Sequence, residues 1–382
     1  MRIALVTETF FPATDGICTR LGQMVRIMKQ LGHEILIVSP DLGIDNYDGI
    51  PITKIESVTV PFYPSRPWAL PSRKIREVLL QFNPDIVHAV NPFLMVTSAV
   101  YYAKKLQIPL LTSYHTHIPQ YLDHYNLPLL KPAVWEYIKL WHTGSDINLT
   151  VSISLQVELQ EQGIAVDGTM PSGVDLSMRS PKYYSSLLYK KLTFGLKDQK
   201  LLVYVGRLAA EKSLDQLREI FNYRDDVCLS IVGDGPEREN LEKLFAGTKT
   251  TFNGFKQGEE LATYFATGDA FIFPSTSETF GLVISEAMAS GLPVIAASSG
   301  PTLEQIEDNI SGLVYEPGNI QSLLEKINVL DLPLQVRRIK VTALRVAEEK
   351  TWLKASHLLL DYYRQAIELS DVKYGRMQKL SN

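Results

Sequence analysis

Short apolar runs, each followed by a helical periodicity, alternate along the whole chain, and this alternation most narrows the folds open to it. Ile3-Ala4-Leu5-Val6 begins the series, which continues with the runs at 33–40, 85–90, 109–114 and 147–152. A second series occupies 201–205, 227–232, 251–253, 270–273 and 293–296. Strands apolar at successive positions are covered on both faces, as in parallel sheets flanked by helices. A chain of 382 residues exceeds what one core serves. The expectation is therefore an α/β protein of two doubly wound, Rossmann-like domains, residues 1–175 and 176–360, facing each other across a central cleft. The loop Pro171-Ser172-Gly173-Val174-Asp175 serves as linker. A last helical pattern from Thr351 to Ile367 leads into a tail, 361–382, expected to return to the first domain.

Glu278 and Glu286, with seven residues between them, straddle a loop-to-helix junction after the run Ala270–Phe273. Gly291 and Pro293 close that helix. Exposed N–H groups at a helix start attract anions, whereas the carboxylates suit hydroxyls. A ligand that carries both phosphates and sugar hydroxyls meets both demands, although taken alone the pair also fits two solvated charges around a surface helix. Upstream, Leu201–Val205 runs into Gly206-Arg207 and then Glu211-Lys212. This puts two cations at the carboxyl end of a parallel strand, where open α/β sheets bind ligands. A departing diphosphate needs such charge; Arg207 can fork onto two oxygens while Lys212 acts as a point charge. The first crossover carries Asp15-Gly16 and lacks the Gly-x-Gly-x-x-Gly signature, so a nicotinamide or flavin site loses its main support.

These motifs resemble those of glycosyltransferase family four, retaining enzymes of the GT-B fold. The resemblance runs from Met1 to about Tyr363. It implies that Glu278 holds the donor sugar and Glu286 the nucleotide ribose. It sets Gly16, with its neighbour Asp15, against the diphosphate together with Arg207 and Lys212. Backbone N–H groups of Thr279-Phe280-Gly281-Leu282 would join them, and Phe255 would flank the base. The segment from Ser113 to Tyr125 holds His115, His117 and His124 among aromatics. Metal binding is one reading of it, and a core histidine with two at the surface is another. With Thr7-Glu8-Thr9-Phe10, the segment looks like the sulfoquinovosyltransferases and related glycolipid mannosyltransferases, which puts His115 over the donor sugar. The resemblance implies a UDP-sugar donor, no metal and no other cofactor, and a lipid acceptor such as diacylglycerol. Diacylglycerol glucosyltransferase, glycolipid mannosyltransferase and a non-catalytic subunit binding sugar nucleotide or lipid remain as alternatives.

Two stretches depart from the family pattern: Ser172-Gly173-Val174-Asp175 at the linker, and Ser299-Gly300-Pro301-Thr302-Leu303-Glu304 near the donor. The cation that a sulfonate would need is unassigned, with Arg2, Lys131 and Arg179 as candidates. A net charge of −4 suggests no nucleic-acid partner. Cys18 and Cys228 fall in different domains, as reduced thiols. No apolar run reaches the ~18 residues of a membrane span, and a strand at residue 3 leaves no room for a signal peptide. The expectation is a cytoplasmic protein bound peripherally to the inner face of a membrane. Two contacts with that surface suggest themselves, each of which fits ordinary core packing equally well: the aromatic and basic stretch Phe62–Arg76, and the amphipathic pattern Leu129–Trp141 carrying Val134, Trp135, Ile138 and Trp141.

Overall fold

A computed structural model describes residues 1–59, 67–117, 119, 122 and 127–376. The chain divides into two compact units: Met1–Ser172 together with the chain from Trp352 onward, and Gly173–Thr351. These boundaries differ from 175 and 360 because the final helix, Trp352–Lys373, is one continuous element that packs on the first unit's helix Gly16–Gln30 and strand Leu110–Tyr114.

In the first unit the described residues form an eight-stranded sheet, in the order 168–169, 147–150, 110–114, 86–90, 2–7, 34–40, 50–55 and 46–47. Every pairing is parallel except that of the edge strand 46–47. Apolar runs such as Ile3-Ala4-Leu5-Val6 are buried throughout because helices cover both faces. The strand 2–7 lies between 34–40 and 86–90, so the winding reverses there. Loops leave the carboxyl ends of 2–7, 86–90 and 110–114 at this reversal, the kind of edge where open α/β sheets take ligands.

The second unit holds a six-stranded, all-parallel sheet in the order 250–252, 227–232, 200–205, 270–273, 294–297 and 313–315. Its reversal lies between 200–205 and 270–273, the strands that lead into Arg207 and Glu278. Phe271 and Leu201 anchor a core covered by helices on either side. The segment Leu214–Asn222 is a run of 3₁₀ turns and not an α-helix. Its buried Leu214, Leu217 and Ile220 recur every three residues, the period of that tighter helix.

Candidate active site

In the second unit, four loops build a polar cluster at the carboxyl edge of the sheet. The loop Gly206–Leu208 follows strand 200–205, and its neighbour, the turn Gly233-Asp234-Gly235, follows strand 227–232. The two are locked by Leu208 N–H to Asp234 O at 2.9 Å and Glu237 N–H to Leu208 O at 3.0 Å. A β-carbon at Gly233 would lie 1.9 Å from the Gly206 carbonyl oxygen. Only a glycine allows this approach. The buried Tyr204 hydroxyl donates to the Arg207 carbonyl at 3.0 Å. The Arg207 side chain is exposed.

Lys212 ends the short turn Ala210–Lys212. Its Nζ stands 2.7 Å from Glu278 Oε1, and both side chains are mostly buried. Ser277 Oγ donates to Glu211 O at 2.8 Å and ties the same two loops together. The negative charges of Glu278 and Glu211 reinforce burial in holding the Tyr204 phenol well above its ordinary pKa. Residues 66 positions apart thus meet within one hydrogen bond.

Glu286 lies within the helix Leu282–Ala289, which Gly281 starts in the left-handed region (φ 81°). Thr279, Phe280 and Leu282 are half-buried around that turn. Gln305, which the sequence reading did not single out, holds it: its Nε2 donates to the Phe280 carbonyl, and its Oε1 accepts from Ser285 Oγ at 2.9 Å. The short helical turn Gly300–Leu303, capped by Ser299, therefore leads directly into the residue that shapes the Gly281 turn. Phe255 is half exposed beyond strand 250–252, free to stack on a flat ring.

Arg179, one of the candidates for a sulfonate, is already engaged within the second unit. Its Nη2 lies 3.1 Å from Glu286 Oε1, and its guanidinium stacks 5.2 Å from the Phe265 ring. The arginine thus orients the carboxylate expected at the ribose. Arg2 lies at the amino end of its strand, away from the ligand edge, paired with Glu34 at 3.0 Å and stacked on Phe82. Lys131 begins the helix Lys131–His142.

In the first unit, Asp15 caps the helix Gly16–Gln30 by accepting from Cys18 N–H at 2.8 Å, and Gly16 is the exposed first helical residue. Glu8, another residue whose role the sequence did not reveal, accepts from the N–H groups of Leu94 at 2.7 Å and Val96 at 3.0 Å. It thereby joins two ligand-edge loops. Burial pushes its carboxyl up to about 7, against the pull of those N–H groups. His115 is buried, with Nε2 2.8 Å from Ser113 Oγ. Its pKa falls well below the usual value through burial, then through the neighbouring Arg20, so its ring is neutral. His117 points elsewhere and pairs with Glu158 at 2.6 Å, while His124 lies outside the described residues.

Of the expected membrane contact Leu129–Trp141, the helical part is turned largely inward. Ile138 is buried and Val134, Trp135 and Trp141 are half-buried, with Trp135 beside the rings of Tyr114 and His117. The apolar stripe of Lys131–His142 faces its own unit, because the periodicity that suits a lipid surface equally suits a core. Exposed instead are Leu127, Leu130 and, at 93%, Leu129. Of the other stretch, Phe62–Arg66 lies outside the described residues; Trp68 sits against Phe93 and Ile75 is buried. No helix among the described residues is long and apolar enough to cross a membrane.

Two Rossmann-like units, the second with this cluster at its strand edge, are the architecture expected of the GT-B fold. Residues 14–177 match the family Glycosyltransferase Family 4, and residues 191–334 match Glycosyl transferases group 1. Sulfoquinovosyl transferase SQD2 of Arabidopsis thaliana is 33% identical over 358 residues, spanning 91% of this chain and 70% of that protein. A GDP-mannose-dependent alpha-mannosyltransferase of Corynebacterium glutamicum is 32% identical, spanning 97% of this chain and 90% of that one. The chain belongs to glycosyltransferase family 4 and is a retaining hexosyltransferase that uses a nucleotide-sugar donor. Among solved structures, Anabaena HepE in complex with UDP-glucose superposes with a TM-score of 0.75 at 18% identity, over 95% of this chain and 99% of that one. This last likeness concerns the fold.

Proposed function

We propose that the enzyme transfers sulfoquinovose from UDP-sulfoquinovose to the free hydroxyl of diacylglycerol, releasing UDP. The observation that carries this reading is the meeting of Lys212 with Glu278 beside the Arg207 loop, a cation and a hydroxyl acceptor at one strand edge. The 33% identity to a sulfoquinovosyl transferase supports the choice of sugar. In this reading Arg207 and Lys212 take the diphosphate, Glu278 the sugar hydroxyls, Glu286 the ribose and His115 the sugar. The bond from the anomeric carbon to the phosphate oxygen breaks as negative charge grows on the diphosphate, where the two cations stabilise it. The acceptor oxygen bonds to the same face of the sugar, and its proton passes to the leaving phosphate oxygen. Configuration is thereby retained. Cationic side chains do the neutralising, so a divalent metal is not required, and turnover should persist in EDTA. Leu127, Leu129 and Leu130 form an exposed apolar corner suited to a lipid surface from which diacylglycerol is drawn.

A mannosyltransferase reading has one observation in its favour: the Corynebacterium enzyme aligns over 97% of the chain. A panel of UDP-sulfoquinovose, UDP-glucose and GDP-mannose against diacylglycerol vesicles, with products weighed by mass spectrometry, decides between them. Sulfoquinovosyl diacylglycerol should dominate. A hexosyl lipid formed only from UDP-glucose or GDP-mannose would overturn the choice of sugar.

A further inference from the structure

Four buried side chains of the first unit form an unbroken hydrogen-bonded line. The Tyr363 hydroxyl, on the helix Trp352–Lys373, lies 2.8 Å from His88 Nδ1. His88 Nε2 lies 2.8 Å from Ser113 Oγ, which in turn lies 2.8 Å from His115 Nε2. Tyr363, His88 and Ser113 are wholly buried, and His115 nearly so. The line crosses two neighbouring strands, 86–90 and 110–114, and ends where the second opens into its loop.

Counting hydrogens settles the direction of the line. Burial keeps both imidazoles neutral, so each ring carries one N–H. Tyrosine and serine bring one O–H each. If Tyr363 donates to His88 Nδ1, then His88 Nε2–H donates to Ser113 Oγ, and Ser113 O–H donates to His115 Nε2. Each of the three links then holds one hydrogen, and the proton of His115 is on Nδ1. In the reverse order the buried Tyr363 O–H would be left with no acceptor among the described residues. If both histidines donated to Ser113, its own hydrogen would be stranded. Buried donors left unpaired are strongly disfavoured.

We infer that Tyr363, His88 and Ser113 are positioning residues that lock His115 in the Nδ1–H tautomer, so that its free ring edge donates a hydrogen bond to an oxygen of the donor sugar and does not act as a base. The second half of this inference rests on the proposed contact between His115 and the sugar; the tautomer does not. The guanidinium of Arg20, whose field opposes protonation of His115, favours the same neutral donor. The final helix, far along the chain from the transferase motifs, thereby reaches into the reacting region.

The tautomer is read on the ligand-free enzyme, labelled with ¹⁵N at histidine, from the shifts of Nδ1 and Nε2. Resonances of His115 are identified by their loss in His115→Gln. The expected result is a protonated Nδ1 and a bare, hydrogen-bonded Nε2 at His115. In Tyr363→Phe, which keeps the ring and its packing, a mixture of tautomers should appear. Ser113→Ala should uncouple the ring entirely. Turnover with UDP-sulfoquinovose and diacylglycerol should fall about tenfold in kcat in both variants with the donor KM within twofold, and Ser113→Thr should recover most of it. A His115 carrying its proton on Nε2 in the unaltered enzyme would overturn the inference, as would an unchanged tautomer in Ser113→Ala. If instead the tautomer is as expected but His115→Gln turns over normally, the contact with the sugar is what fails.

Discussion

Lys212 and Glu278 are the sharpest place to test the site, because each partly buried charge depends on the other. Their side chains are only 17% and 23% exposed, and the ions stand 2.7 Å apart. Removing one partner leaves the other poorly hydrated and unpaired. Full burial would make that loss 3–5 kcal/mol, and an exposed pair about 0–1. At this intermediate burial about 2 kcal/mol is expected for Lys212→Met or for Glu278→Gln. For a unit of this size each kcal/mol shifts Tm by about 2–4 °C, so each single variant should melt roughly 4–8 °C lower. Removing the second partner relieves the stranded charge, so the double variant should melt well above the sum of the two losses, with a coupling energy of about 1–2 kcal/mol. Turnover behaves differently. In the proposed reading the ammonium serves the diphosphate and the carboxylate the sugar, so each single variant should lose at least about a hundredfold, and the double should recover none of it. Calorimetry and a UDP-release assay measure both cycles. Additive Tm shifts would show that the pair is not coupled. Near-normal turnover in both single variants would refute the catalytic assignment.

Gly233→Ala should be severe, because a β-carbon 1.9 Å from the Gly206 carbonyl forces its turn away from the loop that carries Arg207; a Tm unchanged within 1 °C, with full turnover, would disprove that tight approach. Leu129→Glu, at a fully exposed position, should leave Tm unaltered yet reduce co-flotation with diacylglycerol vesicles several-fold, and undiminished flotation would remove the leucine corner from the acceptor route. Acid should weaken the first unit. His88, His142 and His115 are held neutral by burial, the first two pushed down to about 3 and about 4, so between pH 6.5 and about 4.5 the unfolded chain takes up protons there that the folded one refuses. Glu8, pushed up to about 7, works in the opposite sense over the same range. Three losses against one gain give a slope of about 3 kcal/mol per pH unit, with stability falling as pH falls. Urea unfolding at pH 6.5, 5.5 and 4.5 measures it, and a flat profile would contradict the buried neutral rings.

Much of the fold was legible because strand burial is a local property. Ile3–Val6 and Leu201–Val205 announce covered strands by being apolar at successive positions, and Glu278 with Glu286, or Arg207 with Lys212, announce a ligand edge by following such strands. The same locality is why Lys131–His142 left two readings open: an apolar stripe specifies that something must cover it, and only the fold shows Trp135 beside Tyr114. It also hid the 3₁₀ character of Leu214–Asn222, where a spacing of three fits either helix over so few turns.

What tertiary structure alone decided are the partners of charged and polar groups. Arg179 finds Glu286, Glu8 finds the start of the helix Val96–Leu106, and Tyr363 reaches His88 across 275 positions of sequence. Periodicity reports which face of an element avoids water, since that depends only on spacing along the backbone. It is silent on which distant side chain arrives opposite, since that depends on how whole strands and helices are stacked.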